Sequence, residues 1–168
     1  MKTSRRNINI ILLLAGFLAG CGSSKDKDKE FTLIKLHAET TDSGSEFSKT
    51  VPVFRASPTY VTIDRNSFLD ENDLVRASIE EDNGFAIRLQ FNEHGVLLLE
   101  NVTRANQGGR IAIFCDFGEQ SRWLAAPVFD RAVTDGIITF TPDATREETE
   151  RIVRGLNNEV KVLKKKDD

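Results

Sequence analysis

Two cysteines in 168 residues, Cys21 and Cys115, are too few for a disulfide framework. The two histidines, His37 and His94, fall in different segments. With neither H-x₃-H nor C-x₂-C spacing, they offer no zinc site. No G-x-G-x-x-G and no G-x-x-x-x-G-K-[ST] run occurs, which removes the usual signatures of dinucleotide and phosphate-loop binding. After the first twenty residues no apolar run approaches the roughly 20 residues that span a bilayer. Tryptophan occurs once, at Trp123. None of these patterns asks for a cofactor.

What is present begins with "MKTSRRNINIILLLAGFLAGC". Lys2, Arg5 and Arg6 precede an apolar stretch from Ile8 to Phe17, and small residues follow, the order of a secretory signal. Leu18-Ala19-Gly20-Cys21 resembles the bacterial lipobox, in which the cysteine thiol is acylated and the chain is cut just before it. An ordinary signal peptide with an incidental cysteine is the plainer alternative. The full ordered series, continued by a polar tether, favours lipidation at Cys21. The resemblance implies a lipid bilayer as partner through acylated Cys21, in a bacterial cell envelope, facing the periplasm or the exterior. Gly22 after the cysteine, rather than Asp, favours the outer membrane where a cell has two.

Loss of residues 1–20 would remove three positive charges and leave 20 Lys+Arg against 26 Asp+Glu, a net charge of −6. Such an acidic exported chain is a poor match for nucleic acid. "GSSKDKDKE" (22–30) is charged and aperiodic and reads with Cys21 as a flexible tether of residues 21–30, reaching roughly 30 Å at most.

From residue 31 the patterning turns regular. Residues 31–66 read as N-terminal strands: "FTLIKLHAE", a Ser/Thr/Gly-rich loop, then two extended pieces interrupted near Pro58. "DLVRASIEEDNGFAIRLQF" places Asn83-Gly84 between two alternating runs, the signal of a hairpin with a type I′ turn. Asn92 can cap a helix running to about Gln107, and Gly108-Gly109 can end it. These glycines close a helix and precede a strand, the reverse of a phosphate-cradling loop. "RIAIFCDF" (110–117), "WLAAPVF" (123–129) and "GIITFTP" (136–142) read as strands. Thr145 and Glu148 stand at capping-box spacing before a second helix, which Asn157-Asn158 can stop. "EVKVLK" (159–164) then reads as a closing strand and residues 165–168 as a charged tail. The fold class expected is α+β: a mostly antiparallel sheet with two helices packed on one face, as a β-α-β-β-α-β core over residues 67–164 plus the N-terminal strands.

The series "FLDENDLVRASI", "IRLQFNEHGVLLLENVTRANQGGRIAIFCDF", "LAAPVF" and "DGIITFTPDATREETERIVRGL" resembles the periplasmic head region of SecD/SecDF protein-export subunits. The resemblance runs from roughly Thr59 to Asn157 and rests on residues such as Leu69, Asp73, Ala77, Asn92, Gly95, Thr103, Gly108, Arg110 and Pro127. It implies a head domain that contacts polypeptide. Two departures stand out. Cys115-Asp116-Phe117 replaces the usual Leu-Asp-Gly, and an insertion "GEQSRW" precedes Ala126-Pro127. The several membrane-spanning helices of those subunits have no counterpart after the signal.

Candidate site residues are few. Cys21 is the lipidation site. Cys115, inside an apolar run, reads as a small core residue. Arg122, Trp123 and Leu124 are candidate partner-binding residues: core packing is the plain reading of the lone Trp, an exposed aromatic anchor the sharper one. No catalytic, cofactor-binding or metal residue is assigned. Two functions follow. One is a non-catalytic module binding polypeptide or an envelope protein partner. The other is an envelope enzyme of hydrolase type with a site on the sheet.

Overall fold

The structure, a computed structural model, describes residues 30–81 and 84–167. Cys21, the segment before it and Asn83 lie outside the described residues, so the lipobox and the Asn83-Gly84 turn type do as well.

Among the described residues, nine strands and two long helices follow one another. They are β1 (Thr32–Ala38), β2 (Ser48–Val53), β3 (Thr59–Asp64), β4 (Leu69–Asp70), β5 (Leu74–Glu80) and β6 (Ala86–Phe91), then α1 (Glu93–Ala105). After it come β7 (Ile111–Phe117), β8 (Gln120–Ala125), β9 (Ile137–Phe140) and α2 (Arg146–Asp167). A 3₁₀ turn at Glu71–Asp73 links β4 to β5. The strands form three sheets in the orders β4-β1-β7-β8, β2-β3 and β5-β6-β9, and every ladder is antiparallel. The α+β class therefore holds, with the strands divided among three sheets instead of one.

Alternation decides which residues go inward. On β1, Ile34 and Leu36 are fully buried while Leu33 and Lys35 are exposed. On β7, Ile113, Cys115 and Phe117 share the Ile34 side. This inner face, the β5-β6-β9 sheet, Leu99 of α1 and Ile152, Leu156 and Val160 of α2 build one core. The opposite face of the four-stranded sheet receives the β2-β3 hairpin. Val51, Val53, Val61 and Ile63 close there on Ala112, with Trp123 and Ala126 at the margin.

Local signals act as expected at both helix starts. Asn92 caps α1, its side chain accepting the Gly95 N–H at 2.8 Å. Ahead of α2 the capping box closes in both directions: Glu148 N–H donates to Thr145 Oγ1 at 3.2 Å and Thr145 N–H to Glu148 Oε2 at 2.8 Å. After α1, Gly108 takes φ +77°, a left-handed conformation that favours glycine, and its N–H donates to the Phe129 carbonyl at 2.8 Å.

The expected closing strand at 159–164 does not form, because α2 runs unbroken to Asp167. Asn157 and Asn158 do not stop it. The Ala77 N–H donates to Asn157 Oδ1 at 3.0 Å, and Asn157 Nδ2 donates to the Ala77 carbonyl at 2.8 Å. Asn158 Nδ2 donates to the Glu30 carbonyl at 3.0 Å. Both side chains are spent on tertiary partners, which removes their local competition with the helix backbone.

Candidate functional site

Three consecutive residues of β8 go to three different places. Leu124 is fully buried in the main core, so it is a packing residue. Arg122 turns to the rim of that same face, with its guanidinium 5.0 Å above the Phe117 ring. Trp123 stands on the other face, opposite Phe114 of β7. A register shift between Ile113 and Phe114 lets Leu124 and Ala125 both enter the core despite being neighbours.

Arg122 belongs to a tight polar cluster. Its Nη2 donates to Glu148 Oε2 at 2.6 Å, and Arg55 Nη2 lies 3.8 Å from the same oxygen. Arg55 also donates to Asp143 Oδ2, from its backbone N–H at 2.8 Å and from Nε at 3.1 Å. Partial burial alone would raise both carboxyl pKa values. The bonds from Arg122 and Thr145 outweigh this at Glu148, and those from Arg55 do so at Asp143, so both end below the ordinary range. Phe54, beside Arg55, holds a left-handed φ of +70° that costs a non-glycine residue energy. The Arg55–Asp143 bonds hold the loop in that shape. This cluster fastens the β2-β3 hairpin to the start of α2, and its charges are already matched.

Trp123 has different surroundings. His37 meets it edge-on at 5.3 Å between ring centroids, Phe114 tilts against it at 5.2 Å, and Lys49 Nζ lies 5.2 Å from its ring centre. Alternation along β2 puts Lys49 on the same side as Val51 and Val53, so its stem follows the hairpin's apolar face and its ammonium reaches the indole. These rings and cations, with Lys35, Arg65 and the Asn66-Ser67 turn, line a cavity of about 370 Å³. Among the described residues, Lys35, Lys49 and Arg65 have no carboxylate within ion-pair distance.

His37 is 4 % exposed. Its Nδ1 lies 2.9 Å from the Asp64 carbonyl, so the proton sits on Nδ1. Burial, reinforced by Lys49 and Lys35, lowers its pKa from 6.5 against the pull of that carbonyl. The ring is neutral at pH 7 and leaves Nε2 as an acceptor.

The sequence singled out Trp123 but not Lys35, His37, Lys49 or Arg65. The alternation of β1 and β2 assigns each of the first three a face. Their meeting depends on how the hairpin folds back over β1 and β7, which is a long-range fact.

Two other depressions are less suited to chemistry. One of about 580 Å³ is lined by residues 128–135 and Ile137, essentially a single segment, whereas the Trp123 cavity draws on several strands. Another of about 350 Å³ is apolar, with Phe54, Ala125, Ala126 and Pro127 beside the edge strand β9. Cys115 is fully buried, and burial drives its thiol far above the ordinary value, which leaves no thiolate for nucleophilic attack. His94 Nδ1 contacts Asp73 Oδ1 at 2.7 Å on the exposed first turn of α1, away from Cys115. Among the described residues no group of three His, Cys, Asp or Glu side chains is placed to hold a metal ion. No helix of the described residues is long and apolar enough to cross a membrane.

Comparison with known proteins places this architecture. Residues 48–158 match the family model of the SecDF P1 head subdomain. A solved structure of SecDF, described as a membrane component that enhances protein export, superposes with a TM-score of 0.56 at 20% identity. That match covers 81% of this chain and 69% of that one. A crystal structure of SecDF in a super-membrane-facing form superposes with a TM-score of 0.55 at 18% identity, covering 80% of this chain. This chain spans only 20% of that second protein. At such identities the superpositions speak for the fold. A search of curated protein sequences finds no match. The family match covers strands β2 to β9, both helix starts and most of α2, and on that ground the chain belongs to the SecDF P1 head family.

Proposed function

We propose that this chain is an exported lipoprotein, anchored through Cys21 to a membrane of the bacterial cell envelope, whose folded part is a non-catalytic module for polypeptide or an envelope protein partner. The observation that carries this reading is the family match over residues 48–158. A SecDF relative is described as enhancing protein export, work done on polypeptide chains. The binding surface is the Trp123 side of the four-stranded sheet together with the segment after Leu124. There the apolar trough at Ala125-Ala126-Pro127 adjoins the edge strand β9, and the aromatic pair Trp123–Phe114 lines the cavity beside the β2-β3 hairpin. An edge strand can pair with an extended chain through its backbone, while a nearby aromatic ring supplies an anchor. The unreactive setting of Cys115 supports binding over hydrolysis. The membrane anchor rests on the lipobox, and orientation toward the outer membrane on Gly22.

One experiment tests the binding reading. The full chain in detergent is titrated calorimetrically with a reduced, alkylated, unfolded polypeptide. Saturable heat is expected for the native chain, and a clear loss of affinity for Trp123→Ala with its circular dichroism preserved. Equal affinity of a folded Trp123→Ala variant would reject the surface named here. A separate labelling experiment tests the anchor. Cys21→Ala should abolish incorporation of radioactive fatty acid and release the chain from the membrane fraction. Unchanged processing and partitioning would reject lipidation.

A further inference from the structure

Three clustered cations with no ion pair among the described residues need a reason in an acidic chain. The chain carries 26 carboxylates against 23 Lys and Arg. Most of its described arginines are paired, including Arg55, Arg88, Arg104, Arg110, Arg122 and Arg146. Around Trp123 the pattern changes: Lys35, Lys49 and Arg65 converge on one cavity whose lining holds no carboxylate, although Asp70 stands opposite Lys35 on the neighbouring strand β4. No carboxylate of the described residues forms an ion pair with any of the three, so an anion entering the cavity gains from all of them.

The cavity's floor supplies the second half of the recognition. Trp123 and Phe114, tilted against one another, give an apolar base for the methylenes of an acidic side chain. The geometry points to a site for a carboxylate side chain, presented by an extended acidic segment of a bound polypeptide. The inference deepens the polypeptide-binding reading and rests on it.

Register adds a requirement. On β1, Leu33 lies two residues from Lys35, on the same face, and it is 41 % exposed. Opposite Leu33 on β7 stands Asp116. A segment lying along this face with an acidic residue in the cavity sets its next same-side residue about 7 Å further on. There it meets an apolar side chain and a carboxylate. The favoured pattern is an acidic residue with an apolar or basic one two positions away. A flat anionic bilayer does not meet that pattern, because it would bring negative charge against Asp116 as well.

The test uses the full chain in detergent and two short synthetic peptides built on a Glu-Ser-Val-Ser repeat, so that glutamate and valine alternate along one side, the second carrying glutamine in place of every glutamate. At low salt the glutamate peptide is expected to bind about tenfold more tightly than its twin. Added salt should shrink the difference, and a Lys35→Gln/Lys49→Gln double variant should abolish it without weakening the glutamine peptide. Both lysines are at least partly exposed, so the variant should fold. If it does not, the twin comparison and its salt dependence on the native chain still decide. Equal binding of the two peptides overturns the acidic preference and leaves polypeptide binding standing. Failure of both peptides, where the unfolded polypeptide also fails to bind, overturns both ideas. Competition by phosphatidylglycerol vesicles that needs Lys35 and Lys49 would reassign the cavity to lipid phosphate and overturn this inference alone.

Discussion

Arg122 Nη2 donates to the same Glu148 oxygen, Oε2, that accepts the Thr145 N–H, so one carboxylate both caps α2 and ties it to β8. The two tasks can be separated by substitution. Glu148→Gln keeps an acceptor for the Thr145 N–H but loses the charge that Arg122 pairs with. Glu148→Ala loses both and leaves a largely buried guanidinium short of a partner. Loss of a cap costs about 1 kcal/mol, and a stranded partner adds roughly 1–3 kcal/mol. Thermal melting should rank native above Glu148→Gln above Glu148→Ala. Identical melting of the two variants would mean that the cap itself contributes nothing.

The same cluster sets the acid response, and His37 adds a second phase. His37 has its pKa lowered in the folded chain by burial, so the unfolded chain takes up the proton first. Its contribution is intact above the ordinary value of 6.5 and declines as pH falls below it. Asp143 and Glu148 are depressed from ordinary values of 3.8 and 4.5. Their contribution is present above those values and is lost as pH falls through the folded ones. The melting temperature should stay level above pH 6.5, sag mildly just below it and drop again in the acid range. His37→Asn can still donate to the Asp64 carbonyl but carries no titrating ring, so it should remove the first phase alone. A first phase that survives in this variant would assign it to another group.

Much of the fold is legible because local signals and tertiary structure agree. Asn92 caps a helix, Thr145 and Glu148 form the box their spacing promises, and alternation sorts β1, β6 and β7 correctly. The reading fails where a polar residue serves a distant partner. Asn157-Asn158 looks like a helix stop, and "EVKVLK" after it alternates like a strand. Yet Asn157 satisfies both backbone groups of Ala77 on the outer strand β5, and Val160 is drawn into the core. The helix therefore continues through both. The candidate site shows the same division. Trp123 was visible as the lone tryptophan, while its cationic companions come together only through the hairpin.

Gly155 shows how closely α2 lies on β1. A Cβ at this position would collide with Thr32 Oγ1 and lie 3.1 Å from the Phe31 carbonyl carbon. Alanine improves intrinsic helix propensity by about 1 kcal/mol, but overpacking costs roughly 1–3 kcal/mol. Thr32 is 1 % exposed and cannot swing away freely. Gly155→Ala should therefore lower the denaturant midpoint despite the better helix former. A raised midpoint would show that α2 can retreat from β1 at little cost.

Leu124 and Trp123 are neighbours in sequence and should part company when each is cut to alanine. Leu124 is fully enclosed by the main core, where Leu→Ala costs about 2–5 kcal/mol. Trp123 is half-buried at the margin of the smaller hairpin core, with one side open to the cavity. Its removal should cost less stability than its size suggests, because part of the ring faces solvent already. Leu124→Ala should therefore show the larger drop in denaturant midpoint and, while folded, near-native affinity for unfolded polypeptide. Trp123→Ala should show the smaller drop and the larger loss of affinity. Reversal of both orders would make Trp123 a packing residue and move the binding surface elsewhere.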